Sequence, residues 1–343
     1  MSELIFVTGA SGFLGSHIVG QLLETGYRVR AAARGPKVSG LQKSYASFGD
    51  RFEAVAIDEI ATDQFPGALK DVDAVIHSAS PLAGRGTPEE LFKSAVEGTL
   101  NTIRQAQKAG IKRLIVTSSI VTVINPRNSF TDQDWNPVTR EDALSGNPMS
   151  AYSASKTFAE RELWAFGEEH PQLDITTLNP PFLYGPLASG FNAPPTPNYA
   201  ALSTDLYIYR LLNPTGIFPL SPRYADVRDV AKAHVLALRS PPASSVNRKR
   251  ILFASPHEFD FGATVAFIAE KRPELKDRLI KTTPPILPSN NTPLDFERIK
   301  QVLGMGKGDF TAFESTILDA VDSIVALEKS WVATGAEISI PNV

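Results

Sequence analysis

Short, β-branched apolar runs alternate with longer amphipathic stretches through the first two-thirds of the chain. The runs Leu4–Thr8, Arg28–Ala33, Phe52–Ile57, Ala74–His77, Leu114–Ser118 and Asp174–Asn179 predict strands. Leu114-Ile115-Val116 is apolar without alternation, as a strand covered on both faces should be. Between the runs, Leu14–Thr25 and Leu91–Lys108 carry apolar residues at helical spacing, and Gly26 and Gly110 stand where those helices should stop. This alternation predicts an α/β protein built on a doubly wound parallel sheet.

From Pro180 onward the pattern breaks. Prolines crowd the stretch to Pro222, including Ala193-Pro194-Pro195-Thr196-Pro197, and cluster again from Thr282 to Pro293. Both segments predict loops and short elements covering a site. Between them Tyr224–Leu238 is patterned as a helix, and Arg250–Ala254 as a further strand. The expected division is a large unit, 1–185 plus about 226–257, and a smaller discontinuous lobe, about 186–225 plus 258–343.

Composition narrows the function classes. A net charge of -3 leaves no basic footprint for nucleic acid, and the absence of cysteine removes disulfides, thiolate metal sites and cysteine nucleophiles. No apolar run approaches the roughly 18 residues of a membrane span, and Ser2-Glu3 leads straight into the first strand without a signal-peptide pattern. The expectation is a cytosolic monomer or homodimer acting on a small molecule, without nucleic-acid or membrane partners.

Chemistry enters with Val7-Thr8-Gly9-Ala10-Ser11-Gly12-Phe13-Leu14-Gly15. Glycines three apart, after a strand and at a helix start, let a pyrophosphate approach the backbone over the positive end of that helix. This is the Rossmann-type dinucleotide loop, with Gly9, Ser11, Gly12, Phe13, Leu14 and Gly15 as contacts. The end of the second strand distinguishes cofactors, because a carboxylate there bonds a ribose 2′-hydroxyl and a basic residue accommodates a 2′-phosphate. Here Arg28 to Lys37 holds no acid, and Arg34 stands about 20 residues past the loop, with Lys37 close behind. NADPH is expected. Asp58 is placed either to accept from an adenine amino group or to cap a strand end. Ala79, within His77-Ser78-Ala79-Ser80, would let the backbone approach the cofactor, whereas His77 reads as a packing residue.

Tyr152-Ser153-Ala154-Ser155-Lys156 is the most informative stretch. On a helix, positions 152 and 156 share a face one turn apart. A phenol of ordinary pKa near 10 is a poor acid–base group at neutral pH, and a lysine cation one turn away improves it. Ser119, closing Val116-Thr117-Ser118-Ser119 at the end of the fifth strand, can bond a substrate oxygen. Ser118 is expected to pack or hydrogen-bond locally.

Together these motifs resemble the extended short-chain dehydrogenase/reductase superfamily. Within it the chain is similar to the dihydroflavonol-reductase-like branch, notably the fungal carbonyl reductases. The narrower likeness rests on residues 29–34, 77–81, 134–137, 179–186 and 224–234, reaching to about residue 240. It implies NADPH-dependent reduction of aldehydes or ketones, with Ser119 polarising the carbonyl, Tyr152 donating the proton and Lys156 tuning the tyrosine and binding ribose. It further implies that Pro180 and Leu183 frame the nicotinamide and that Arg34 and Lys37 hold the 2′-phosphate. The substrate pocket would lie between nicotinamide and lobe, walled by Leu82, Ile120, Ile124, Phe182 and Tyr207, residues equally compatible with core packing. The stretch from Leu187 to Tyr209 has no counterpart in the resemblance.

Two rivals share parts of the pattern. A nucleotide-sugar epimerase or dehydratase has the same loop and Tyr–Lys pair but usually an acid where Arg34 stands. A cofactor-sensing regulator would keep the fold with little need of Ser119, Tyr152 and Lys156 together. Five histidines at 17, 77, 170, 234 and 257 show no paired ligand spacing, so no metal is expected.

Overall fold

The computed structural model describes residues 2–80, 87–127, 130–192, 196–257, 259–286 and 294–341. Its elements follow the sequence pattern closely: β1 (Leu4–Thr8), α1 (Phe13–Glu24), β2 (Arg28–Ala33), α2 (Gly35–Ser44), β3 (Phe52–Ala56), β4 (Ala74–His77), α3 (Pro88–Lys108) and β5 (Arg113–Thr117). Then come α4 (Arg140–Ala143), α5 (Pro148–Glu169), β6 (Asp174–Asn179), β7 (Phe182–Tyr184), α6 (Leu206–Arg210), β8 (Tyr224–Asp226), α7 (Val227–Ala237) and α8 (Ala243–Val246). The chain ends through β9 (Lys249–Leu252), α9 (Phe261–Lys271), α10 (Phe296–Leu303) and α11 (Phe313–Ala333).

Seven strands form one parallel sheet in the order β3-β2-β1-β4-β5-β6-β9. The sequence alternation of β1 shows why both faces are filled: Ile5 and Val7 join one apolar cluster, Leu4 and Phe6 the other. The first cluster takes Ile18, Leu22 and Val230 from α1 and α7, and the second Leu100, Ile103 and Leu163 from α3 and α5. Gly26 (φ +92°) and Gly110 (φ +79°) occupy left-handed positions just past α1 and α3, as a helix stop requires.

One expected element divides. Tyr224–Leu238 is not a single helix: Tyr224–Asp226 is β8, paired in parallel with β7, and the helix α7 begins only at Val227. Asp226 caps it, its side chain accepting from the Arg228 amide at 2.8 Å. The further strand, expected over Arg250–Ala254, spans Lys249–Leu252 and closes the sheet beside β6. A third apolar cluster joins Tyr184, Tyr209 and Tyr224 to Phe259, Ile317 and Trp331, whereas α10 packs its Ile299 and Val302 onto the sheet. Among the described residues no helix is long and apolar enough to cross a membrane.

Candidate active site

The glycine loop joins β1 to α1, where the order of strands reverses between β1 and β4. Gly9 sits at φ +70°, and a Cβ added there would lie 2.7 Å from the Ala79 amide nitrogen. A Cβ on Gly15 would lie 2.1 Å from the Gly9 carbonyl oxygen, which also accepts the Gly12 amide at 2.9 Å. The turn is therefore closed backbone against backbone, with Ser11 and Leu14 half-buried and Phe13 buried beside it. Helix α1 starts with neither a side-chain cap nor an acid in its first turn. Its leading amides and positive dipole end suit an anion, so these residues fit a dinucleotide pyrophosphate.

At the end of β2, Arg34 is the N-cap residue of α2, and both Arg34 and Lys37 are exposed. Asp58 arrives from beyond β3, and its Oδ1 accepts the Gly35 amide at 2.7 Å. The carboxylate missing from Arg28 to Lys37 thus approaches from another strand, where it tethers the loop that bears Arg34. His77 is buried, facing Thr8 Oγ1 at 2.8 Å, and burial with the nearby Lys156 charge lowers it to about 3. It is neutral and packs, as its sequence context suggests.

The chemical end is assembled by a capped helix and a strand terminus. Asn147 Oδ1 accepts from the Met149 and Ser150 amides at 2.9 and 3.1 Å, and Pro148 opens α5. That start places Tyr152 and Lys156 on consecutive turns. Ser119, 6% exposed, stands just past β5 and caps the 3-10 turn Ile120–Thr122, facing the half-buried Tyr152. Lys156 Nζ donates to the Thr117 carbonyl oxygen at 3.3 Å, so all three groups converge on one strand end. Burial pushes the Tyr152 hydroxyl above its ordinary value, and the Ser119 hydroxyl draws it back. Burial brings Lys156 down to about 8 against the opposing charge of Glu160. A phenol that keeps its proton at neutral pH, one turn from a lysine still largely cationic there, is equipped to act as an acid.

Two residues here were not singled out from the sequence. Glu160 is 3% exposed, and its carboxylate accepts from Ser118 Oγ at 2.6 Å, Asn179 Nδ2 at 2.8 Å and Arg250 Nε at 2.7 Å. Arg250 is 1% exposed, donates to Thr122 Oγ1 at 3.0 Å and the Asp132 carbonyl at 2.9 Å, and stacks 3.8 Å above the Trp135 ring. Glu160 carries a signal in its spacing, one turn beyond Lys156 on the same face. Arg250 carries none, since its partners come from other strands and loops. Ser118, expected to pack or hydrogen-bond locally, is buried, but its hydroxyl bonds Glu160 on α5 and not a sequence neighbour.

The remaining candidates are dispersed. Pro180 is buried and its carbonyl accepts the Ile120 amide at 3.0 Å. Leu183 is held at both its amide and its carbonyl by Thr204 Oγ1, at 2.9 and 2.8 Å. Phe182 and Tyr207 do meet, with ring centroids 5.3 Å apart. Ile120 instead lies buried with Val123, Phe130 and Leu252, while Ile124 is 36% exposed. Leu82 lies outside the described residues.

Residues 5–249 match the model of the NAD dependent epimerase/dehydratase family. The chain is 31% identical over 343 residues to a ketoreductase of Aspergillus niger, covering 95% of this chain and 98% of that one. It is 29% identical over 348 residues to the NADPH-dependent methylglyoxal reductase of Saccharomyces cerevisiae, covering 94% and 98% respectively. The solved structure of yeast methylglyoxal/isovaleraldehyde reductase complexed with NADPH superimposes with a TM-score of 0.82 at 28% identity, over 95% of this chain and 99% of that chain.

Proposed function

The chain belongs to the NAD dependent epimerase/dehydratase family, and on that premise we propose that it is an NADPH-dependent carbonyl reductase, converting aldehydes or ketones to alcohols. The observation that carries this reading is the convergence of Ser119, Tyr152 and Lys156 on the strand end that follows the glycine loop's neighbour β4 in the sheet. Bound NADPH supplies the hydride. Ser119 donates a hydrogen bond to the carbonyl oxygen and holds the charge that develops there. Tyr152 delivers the proton to that oxygen, and Lys156 stabilises the phenolate left behind and binds the ribose hydroxyls.

Gly9, Ser11, Gly12, Phe13, Leu14, Gly15 and Ala79 take the pyrophosphate side. Arg34 and Lys37 receive the 2′-phosphate, with Asp58 near the adenosine, and Pro180 and Leu183 border the nicotinamide. Phe182, Tyr207 and Ile124 wall the substrate side. In this division 1–185 plus about 226–257 hold NADPH, and about 186–225 plus 258–343 shape the substrate side. The same reading takes the protein to be cytosolic, a monomer or homodimer, acting on small carbonyl compounds; a net charge of -3 fits such a partner better than nucleic acid.

The test is cofactor oxidation by purified protein with aldehydes, diketones, aryl ketones and a dihydroflavonol, NADPH and NADH run in parallel. Turnover with NADPH is expected. Silence across the panel with NADPH still tightly bound would refute the reductase reading and favour a sugar-nucleotide enzyme or a cofactor sensor.

A further inference from the structure

We infer that Glu160 is a positioning residue for the reduction, its buried carboxylate fixing the separation between the helix that carries Tyr152 and Lys156 and the strand ends that carry Ser119 and Pro180. The inference rests on the reductase reading. Tyr152, Lys156 and Glu160 succeed one another by single turns on one face of α5. From the third of these positions, Glu160 receives five donors. Besides Ser118, Asn179 and Arg250, Thr177 Oγ1 and Trp164 Nε1 each reach it at 3.2 Å.

The choice of partners gives the cluster its meaning. Ser118 immediately precedes Ser119, and Asn179 immediately precedes Pro180. Asn179 Nδ2 also donates to the Ser119 carbonyl at 3.3 Å and to Thr122 Oγ1 at 3.0 Å. One carboxylate therefore ties α5 to the C-terminal ends of β5 and β6. A carboxylate offers about four lone-pair sites and no donor, so a glutamine would turn an N–H toward one of these donors. Arg250 completes the cluster from β9 and anchors residues 132–135 through the Asp132 carbonyl and Trp135.

Stability alone is a poor account of such a pair. A buried ion pair commonly adds little over apolar residues of the same volume, whereas removing one partner is costly. A pair placed directly behind the reacting groups is better explained by the geometry it enforces. The groups facing Lys156 are Tyr152 and Glu160 from its own helix and His77 from β4, with Arg250 behind Glu160 and His234 bonded to Thr117 Oγ1 at 2.7 Å. Burial acts against the carboxylate, but Arg250 and the Ser118 hydroxyl hold Glu160 ionised below the usual range. Its charge in turn helps keep Lys156 cationic.

Glu160→Gln, the charge-neutral pair Glu160→Gln with Arg250→Gln, and Ser118→Ala are to be compared with wild type. The readouts are kcat, KM for the carbonyl, NADPH dissociation constant, thermal unfolding and the pH profile. The expected result in either folded Glu160 variant is a kcat lower by roughly 10- to 100-fold, the scale of ångström misplacement. NADPH affinity should change less than about threefold, and the alkaline limb should move to lower pH. Ser118→Ala, which strands no buried charge, should fold and lose a smaller factor of kcat. The double variant keeps the test open if the single one fails to fold. Folded variants with wild-type kcat, or a loss of kcat with an unmoved alkaline limb, would overturn the inference. An inactive wild type would refute the reductase reading and take this inference with it.

Discussion

Gly15 and Gly20 lie on the same helix, and the same substitution should have opposite effects at the two. At Gly20 an added Cβ meets nothing within 4 Å. Gly20→Ala should therefore stabilise the protein by about 0.5–1 kcal/mol, through helix propensity and a less free unfolded chain. At Gly15 the new Cβ would lie 2.1 Å from the Gly9 carbonyl oxygen, and the clash is with backbone, not a side chain that could swing aside. Carbon–oxygen contacts are ordinarily about 3.3 Å or longer, so α1 and the turn must part by roughly 1 Å. Displacing a binding surface by that amount costs on the order of 100-fold, equivalent to about 2.7 kcal/mol. Gly15→Ala should weaken NADPH binding by that factor, measured by calorimetric titration, with unfolding curves recorded without cofactor for both variants. Wild-type NADPH affinity in Gly15→Ala would show that the turn does not cradle the pyrophosphate. Equal destabilisation at both positions would refute the steric argument itself.

Tyr152→Phe should lower kcat by about 10²–10⁴-fold while leaving the NADPH dissociation constant nearly intact; substantial retained turnover would remove Tyr152 from its assigned role. Arg34→Asp should weaken NADPH roughly 10- to 100-fold, the loss of a charge-assisted contact, with NADH little affected; an unchanged preference would mean that another residue reads the phosphate. The pH dependence follows from Lys156, lowered to about 8 chiefly by burial. Its cation is present below that pH and lost above it, so the reduction rate should fall as pH rises through about 8. A rate level far into the alkaline range would contradict the assignment.

The parts of the molecule legible in the sequence are those whose cause is local. All six strands expected before Pro180 lie within one residue at each end, four of them without any shift, because apolar runs in a parallel sheet are dictated by burial on both faces. Tyr152 and Lys156 could be paired because helical spacing alone sets them one turn apart. The misreading of Tyr224–Asp226 has a different cause: a three-residue strand has no period to detect, and its partner Phe182–Tyr184 lies some forty residues earlier. The approach of Asp58 to Gly35 needs the β2–β3 register, which no local signal supplies. The burial of Ile120 with Leu252 depends on the same kind of distant meeting.

Arg250 imposes an order in time as well as in space. It comes from β9, the last strand to enter the sheet, and supplies the guanidinium that offsets the Glu160 carboxylate. A nascent chain emerging at about 5–20 residues per second will have synthesised the glycine loop, Ser119, Tyr152 and Lys156 long before that guanidinium exists. Until then the β5 and β6 ends would have to enclose an uncompensated negative charge, at a cost of about 3–5 kcal/mol. The early strands can pair as they emerge, but the corner between α5, β5 and β6 can lock only once the ribosome has passed residue 250, so a chain stalled before that point would carry Ser119, Tyr152 and Lys156 without the guanidinium that sets their frame.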